Sequence, residues 1–334
     1  MARPTMEDVA ARAGVSPKTV SNVVRGWPAV RPETERRVRD AIAETGYRIN
    51  LAPRVMRTGR SDAIALAVPW LDSPYFSELT SAIVRAAAAT GLSVHVKQTD
   101  GAPERERAVL KELDEIQVDG FIFSPSGLGE PDLPSSFGVP TVLLGERIGS
   151  SRGDHVAIDN VAAALDAVTH LVGVGRRRVA AIGLQSGGES TNAYQRQRGY
   201  LLALRAAGLS PESALQVSVT AFSRAEGARA VRELLASGIL FDAVFCFNDL
   251  LALGAMHELQ RSGVRVPDDV AVAGFDDIEE GRFATPTLTT IRPDKAQIAA
   301  VALSLLSDRI GGDDSPAREV TLDYELVIRS SSSG

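Results

Sequence analysis

The sequence predicts a small all-α head joined to an α/β core of two Rossmann-like lobes. Three observations carry that prediction. The first sixty residues hold two short amphipathic helices about a glycine turn, with a third helix after them. From Asp62 onward, short apolar runs alternate with longer amphipathic ones, the pattern of parallel strands covered on both faces by helices. That alternation restarts after the GVGRRR turn at 173–178, and its strand-like runs are more than one compact half usually holds.

The head reads element by element. In MEDVAARAGVSPKTVSNVV, Val9, Ala10 and Ala13 mark one helical face, Gly14 supplies the turn and Val15 closes onto the core. Ser16 caps a second helix and Pro17 fits its first turn, where a missing N–H costs nothing. Val20, Val23 and Val24 then point inward, leaving Lys18, Thr19, Ser21, Asn22 and Arg25 outward. Two helices about a tight turn with a polar outer face are the layout of a helix-turn-helix DNA reader. The charge agrees: residues 1–60 carry twelve Lys and Arg against six Asp and Glu, so a +6 head sits on a −12 remainder within a chain of net −6. Such a chain presents one end to phosphates and repels them elsewhere. Several arginines of the helix over 32–45 are equally explained as a solvated face.

The core strands are expected over 63–68, 92–96, 120–124, 141–144, 179–183, 215–219, 243–247, 270–274 and 288–291. Helices are expected over 76–90, 104–116, 161–172, 193–207, 224–237, 250–262 and 295–309. At 334 residues, 44% hydrophobic, the chain has enough apolar content for two lobes beside the head. No apolar run approaches the roughly 20 residues of a membrane span and no basic-then-apolar leader precedes the first helix, so a cytoplasmic protein with no membrane partner is expected. Cys246, alone in the apolar run DAVFCF, reads as buried core, and four scattered histidines lack metal-ligand spacing. Neither metal nor cofactor is expected.

Ligands of such sheets bind beyond the carboxyl ends of the strands. Trp70, Asp72, Tyr75 and Phe76 follow the first strand, Ser124 the third, and Glu146 with Arg147 the fourth. The second lobe offers Asp159 and Asn160 near the crossover, then Asn192, Arg196, Phe222, Asn248, Asp249, Asp276 and Asp277. Aromatic plates among carboxylates, amides and arginines suit a small polyhydroxylated molecule, because rings stack on apolar sugar faces and forked groups bind vicinal hydroxyls. Plainer roles stand beside these: Asp249 as a helix cap, Asp277 in a turn, Trp70 as a plug between lobes. Arg196 and Asp276 are the strongest choices, since a charge aimed into a cleft needs a partner.

On these residues the chain resembles the LacI/GalR (lactose-repressor) family of bacterial regulators. TMEDVAARAGVSPKTVSNVV, VRPETERRVRDAIAETGY, VDGFIFSPSG, VAIDN, FNDLLALGAMHELQRSGVRVPDDVAVAGFDD and PTLTTIRPD match in order over nearly the whole chain. The resemblance implies a type I periplasmic-binding-protein-like core and a homodimer in which each subunit reads half of a pseudo-palindromic operator. It implies that Pro17, Lys18 and Asn22 face base edges and that Thr19 and Ser21 face phosphate, with Thr5, Ser16 and Arg25 completing the DNA-binding set. Pro17 has no side-chain donor, so direct readout rests on Lys18, which suits guanine, and Asn22, which suits adenine.

Residues 50–60 are similar to the family's hinge helix. Asn50 fits its N-cap, Arg54 and Arg57 fit phosphate, and Met56 stands where the family usually has an intercalating leucine. A helix of about nine residues is too short to persist alone, so it should order only when DNA and a partner bury it. The expected domains are therefore 1–49, the DNA reader; 50–60, the hinge; and 61–334, the effector and dimer core. Within that core, lobe N takes about 61–158 and 292–318, and lobe C about 159–291 and 319–330.

A DNA-binding repressor relieved by a sugar is the expected function, coupled by about 1–3 kcal/mol between distant sites. A purine or nucleoside corepressor is the alternative, given Tyr75 and Phe222 as stacking surfaces. Glu146 departs from a common family pattern of aspartate near that point, which leaves the sugar open. A sugar-importer binding protein is disfavoured by the DNA reader. A sugar kinase or other enzyme is disfavoured because GLGE at 127–130 and GVG at 173–175 do not lie between a strand and the helix it opens. The tail ELVIRSSSSG lacks leucine heptads, so assembly should stop at a dimer.

Overall fold

The computed structural model describes residues 4–24, 27–47, 60–113, 115–145, 152–185 and 191–333. The chain divides into two compact units, Met1–Ser61 and Asp62–Gly334. No helix among the described residues is long and apolar enough to cross a membrane.

In the first unit, α1 (Met6–Ala13), α2 (Pro17–Val24) and α3 (Pro32–Thr45) enclose a core of Val9, Ala10, Ala13, Val20, Val23, Val38, Ala41 and Tyr47. Gly14 takes φ +63°, the left-handed conformation that a side chain disfavours, and ends α1. Arg37 of α3 reinforces the same corner by donating to the carbonyls of Ala13 and Gly14, a cation at a helix C-terminus.

The second unit contains two six-stranded sheets. Its elements run β1 (Ala63–Val68), α4 (Pro74–Ala89), β2 (Ser93–Gln98), α5 (Pro103–Glu112), β3 (Gly120–Phe123), β4 (Thr141–Leu144) and β5 (Asp154–Ile158). Then follow α6 (Asn160–Gly173), β6 (Val179–Leu184), α7 (Asn192–Ala206), β7 (Gln216–Ser218), α8 (Arg224–Ala236), β8 (Ala243–Cys246), α9 (Asp249–Arg261) and β9 (Ala271–Phe275). The last are α10 (Glu279–Phe283), β10 (Thr289–Pro293), α11 (Lys295–Ile310), β11 (Glu319–Leu322) and β12 (Tyr324–Val327). The first sheet has the order β11-β5-β4-β3-β1-β2 and the second β12-β10-β9-β8-β6-β7. Every pairing is parallel except β10 with β12.

Parallel strands covered on both faces explain why β1 is apolar throughout: Ile64, Leu66 and Val68 pack to one side, Ala63, Ala65 and Ala67 to the other. Cys246 lies fully buried in β8.

Three strands escape the sequence reading. β5 carries Asp154 and His155 at buried positions, so it shows no apolar run; Arg309 and Arg318 bind Asp154 at 2.7 and 2.9 Å and make its burial tolerable. β11 and β12 are short, partly exposed edge strands. β11 also corrects the assignment of 319–330 to lobe C. Residues 319–322 pair in register with β5 at the edge of the first sheet, and only 324–327 join the second. The chain thus crosses between lobes three times, after β5, after β10 and between β11 and β12.

Candidate functional site

The first unit presents one polar helical face. Pro17 and Ser21, and Lys18 and Asn22, are spaced i, i+4 on α2, opposite the buried Val20 and Val23. Ser16, Pro17 and Lys18 are exposed, while Thr19, Ser21 and Asn22 are half-buried. Ser16 caps the helix, its Oγ accepting from the Thr19 amide at 3.2 Å. Thr5 has an internal task as well: it forms a capping box with Asp8 at the start of α1, and its bonds hold that carboxyl below its usual range. Part of the head's basic charge is spent internally, Arg12 on Glu44 at 2.6 Å and Arg39 on Glu35 at 2.6 Å. Arg25, Asn50, Arg54, Met56 and Arg57 lie outside the described residues.

The second unit contains a cavity of about 510 Å³ lined from both sheets. From the first lobe come Trp70 and Asp72 after β1, Tyr75 and Phe76 at the start of α4, and Ser124 after β3. From the second come Asn192 and Arg196 on α7, Phe222 before α8, Asn248 after β8 and Asp276 after β9. Six sequence candidates do not join them: Glu146, Arg147, Asp159, Asn160, Asp249 and Asp277. Glu146 and Arg147 lie outside the described residues, although the adjoining Gly145 lines the wall. Asp249 is a correction: it is fully buried, takes the Thr290 hydroxyl at 2.6 Å and the Ile278 amide at 2.9 Å, and lines no part of the cavity. Asn248, not Asp249, caps α9, accepting from the Leu251 amide at 2.9 Å. Burial, reinforced by repulsion from Asp276, drives the Asp249 carboxyl well above its ordinary range.

Arg196 organises the floor. Its Nε donates to Asn160 Oδ1 at 2.7 Å, its Nη1 to the Phe247 carbonyl, and its guanidinium carbon lies 3.5 Å from the centre of the Phe275 ring. Nη2 stands 3.9 Å from Asp276 Oδ1. Asn160 therefore supports Arg196 from behind, and Asp159 caps α6 through the Ala162 amide at 2.9 Å; neither lines the cavity. At the first lobe's wall, Phe76 meets Tyr75 edge-on at 5.1 Å and Trp70 at 6.1 Å. Trp70 has room because position 101 is glycine: a Cβ there would come within 2.8 Å of the indole.

Asp276 and Asp277 both adopt positive φ, +116° and +45°, which turns the chain sharply at the end of β9. Asp277 holds the turn from beneath. Its buried carboxylate receives Arg282 at 2.8 Å, Arg292 at 2.6 Å and Arg329 at 2.6 Å. Burial pushes that carboxyl up, but the bonds from Arg292 and Arg329 outweigh it and leave it below the usual range. Asp277 thus sits in a turn, as its plainer reading had it, and anchors that turn.

Sequence reasoning missed Phe275, Ser126, Gln185 and Arg224, which also line the cavity. Phe275 was within reach, since it immediately precedes Asp276 at a strand end. Ser126 lies in the loop after β3, Gln185 directly after β6, and Arg224 opens α8.

Residues 5–50 match the family described as bacterial regulatory proteins, lacI family, and residues 168–332 match a periplasmic binding protein-like domain. The HTH-type transcriptional repressor PurR of Mannheimia succiniciproducens is 32% identical over 330 residues, covering 98% of each chain. Among solved structures, the lac repressor dimer bound to operator and the anti-inducer ONPF aligns over 99% of both chains with a TM-score of 0.83 and 27% identity. The complex of transcriptional regulator CelR with cellobiose aligns over 98% of this chain and 100% of that one, with a TM-score of 0.73 and 31% identity. A helix-turn-helix head, a two-lobed core with a ligand-sized cavity and full-length similarity above 30% meet in one molecule, and the chain belongs to the lacI family of bacterial regulatory proteins.

Proposed function

We propose that this protein is a transcriptional repressor that holds a pseudo-palindromic operator as a homodimer and releases it when a sugar fills the cavity. The observation that carries this reading is the convergence of Arg196, Asp276 and Asn192 with Trp70, Phe76 and Phe222 around one cavity of about 510 Å³. Forked polar groups satisfy vicinal hydroxyls while flat rings cover the apolar face of a pyranose, and no member of the set is arranged to attack a bond. The cellobiose complex of CelR supports a sugar, and Tyr75 and Phe222 as stacking surfaces keep a purine as the competing ligand. On the DNA side, Lys18 and Asn22 supply the base-reading donors, and residues 50–60 supply the hinge on the strength of their sequence alone. Dimeric assembly is supported by the lac repressor dimer on its operator. Such a protein works where the chromosome lies, in the cytoplasm.

The test begins with operator selection from random duplexes. Gel shifts on the selected operator are then run with a panel of mono- and disaccharides and of purines and nucleosides, paired with thermal-shift assays. A sugar that both raises the melting temperature of the core and weakens operator binding is the expected result. A purine that strengthens binding while every sugar is silent would overturn the sugar reading, and no sequence preference among duplexes would overturn the repressor reading.

A further inference from the structure

We propose that Lys295 and Glu78 form a clamp between the lobes that positions Asp276 against the cavity and fixes how far apart the lobes stand. The proposal deepens the reading above, since it concerns how occupancy of that same cavity is tied to lobe geometry.

Lys295 is the first residue of α11, whose body packs on α4 and the first sheet. A cation is out of place there, because the N-terminal end of a helix already carries positive potential. Asp294 serves as the N-cap, accepting from the Ala296 and Gln297 amides, so the lysine is not needed to finish the helix. Its side chain is only 11% exposed and turns away from solvent.

The ammonium's partners account for it. Nζ donates to the Asp276 carbonyl at 2.6 Å and approaches the Asp277 carbonyl at 3.4 Å, both in the second lobe. It pairs with Glu78 Oε2 on α4 at 2.9 Å and lies 5.6 Å from the centre of the Tyr75 ring, both in the first. Glu78 returns the connection: its Oε1 accepts from the Glu279 amide at 3.2 Å, where α10 of the second lobe begins. One link thus runs from the first lobe's lysine to second-lobe carbonyls, and another from a second-lobe amide to the first lobe's carboxylate.

What the clamp grips matters. Asp276 and Asp277 are consecutive residues at positive φ, so the peptide planes there are set by external contacts more than by local preference. Asp277's side chain is fixed by three arginines, and Asp276's amide by the Ile291 carbonyl at 2.8 Å. Lys295 fixes the remaining backbone handle, the Asp276 carbonyl, and couples it to α4, which carries the cavity residues Tyr75 and Phe76. Lys295 and Glu78 do not line the cavity, so both are positioning residues that act through Asp276 and Tyr75.

The test reads lobe separation directly, without ligand or DNA. Spin labels are placed at two exposed helical positions, Ala108→Cys in the first lobe and Ala236→Cys in the second, with unlabelled protein in excess so that only distances within one chain register. Lys295→Met and Glu78→Gln should each broaden the distance distribution and shift it to longer values. The double variant should go no further than the stronger single one, and Lys295→Arg, which keeps a donor, should restore the narrow distribution. An unchanged distribution in Lys295→Met, or full additivity in the double variant, would overturn the clamp. If Lys295→Met does not fold, Glu78→Gln decides alone by the same criterion. A clamp that fails while operator binding still answers to sugar leaves the repressor reading intact; a wild-type protein deaf to every sugar strikes the sugar reading alone.

Discussion

The Arg196 guanidinium carbon lies 3.5 Å from the centre of the Phe275 ring while its Nε holds Asn160 at 2.7 Å. A planar cation is thereby pinned on one face and one edge, leaving its orientation relative to Asp276 no freedom. Lysine cannot stack and bond in two directions at once. Arg196→Lys should therefore weaken ligand binding by about 1.5–3 kcal/mol, the worth of a hydrogen bond to a charged group, and blunt the ligand's effect on DNA. Operator affinity without ligand should stay as in the wild type, which paired gel shifts with and without sugar will reveal.

On α2, Lys18 and Asn22 share a face one turn apart. Replacing either by alanine should relax base preference at one operator position by about 1–3 kcal/mol. Binding measured across single-base operator variants distinguishes this from a phosphate contact, whose loss would weaken all sequences alike.

Asp277 sets an acid limit on the core. Its folded-state carboxyl titrates below the ordinary range, so the stability it contributes is present above the unfolded value, about 3.9, and is lost as pH falls from there. Asp277→Asn should cost about 1.5–3 kcal/mol at neutral pH by removing the charge from the bonds that Arg292 and Arg329 make to this buried site, and should flatten the acid limb of a melting-temperature profile.

Asp249 behaves in the opposite sense. Burial, then repulsion from Asp276, raises its carboxyl, so the folded state holds the proton more tightly than the unfolded one. The sign reverses accordingly: this site favours folding most in acid and progressively less as pH rises above the ordinary carboxyl range. Asp249→Asn should remove that decline, so the difference in stability between variant and wild type should move in the variant's favour between acid and neutral pH. A constant difference in chemical denaturation across that range would refute it.

The loop after β3 is held by Glu106, whose buried carboxylate receives the amides of Ser126, Gly127 and Leu128 at 2.8, 2.9 and 2.7 Å. Gly127 has no space for a side chain, since a Cβ would meet the Gly101 carbonyl at 2.6 Å and the Pro103 nitrogen at 2.7 Å. Gly127→Ala should destabilise the core by about 1–3 kcal/mol and weaken ligand binding by displacing Ser126. Isothermal titration beside thermal melts will separate the two effects.

Local pattern alone was enough for the helices of the head, for the apolar strands β1, β3, β4, β8 and β9, and for ten of the residues that line the cavity, Trp70 and Asp276 among them. Each of these follows from periodicity or from the rule that parallel sheets bind at their carboxyl ends. The tertiary structure decided what pairing across long separations decides. Asp154 makes a strand of 154–158 only because Arg309 and Arg318 arrive to neutralise it, and 319–322 joins the first sheet because β5 offers an open edge. Asp249 and Asp276 look alike in sequence, both acidic and both following a strand; Thr290 and the Ile278 amide draw one into the interior, while the turn at positive φ leaves the other at the cavity. A sequence records which groups need partners, and only the folded chain assigns them, because a buried charge is tolerated where the geometry brings its counterpart within bonding distance.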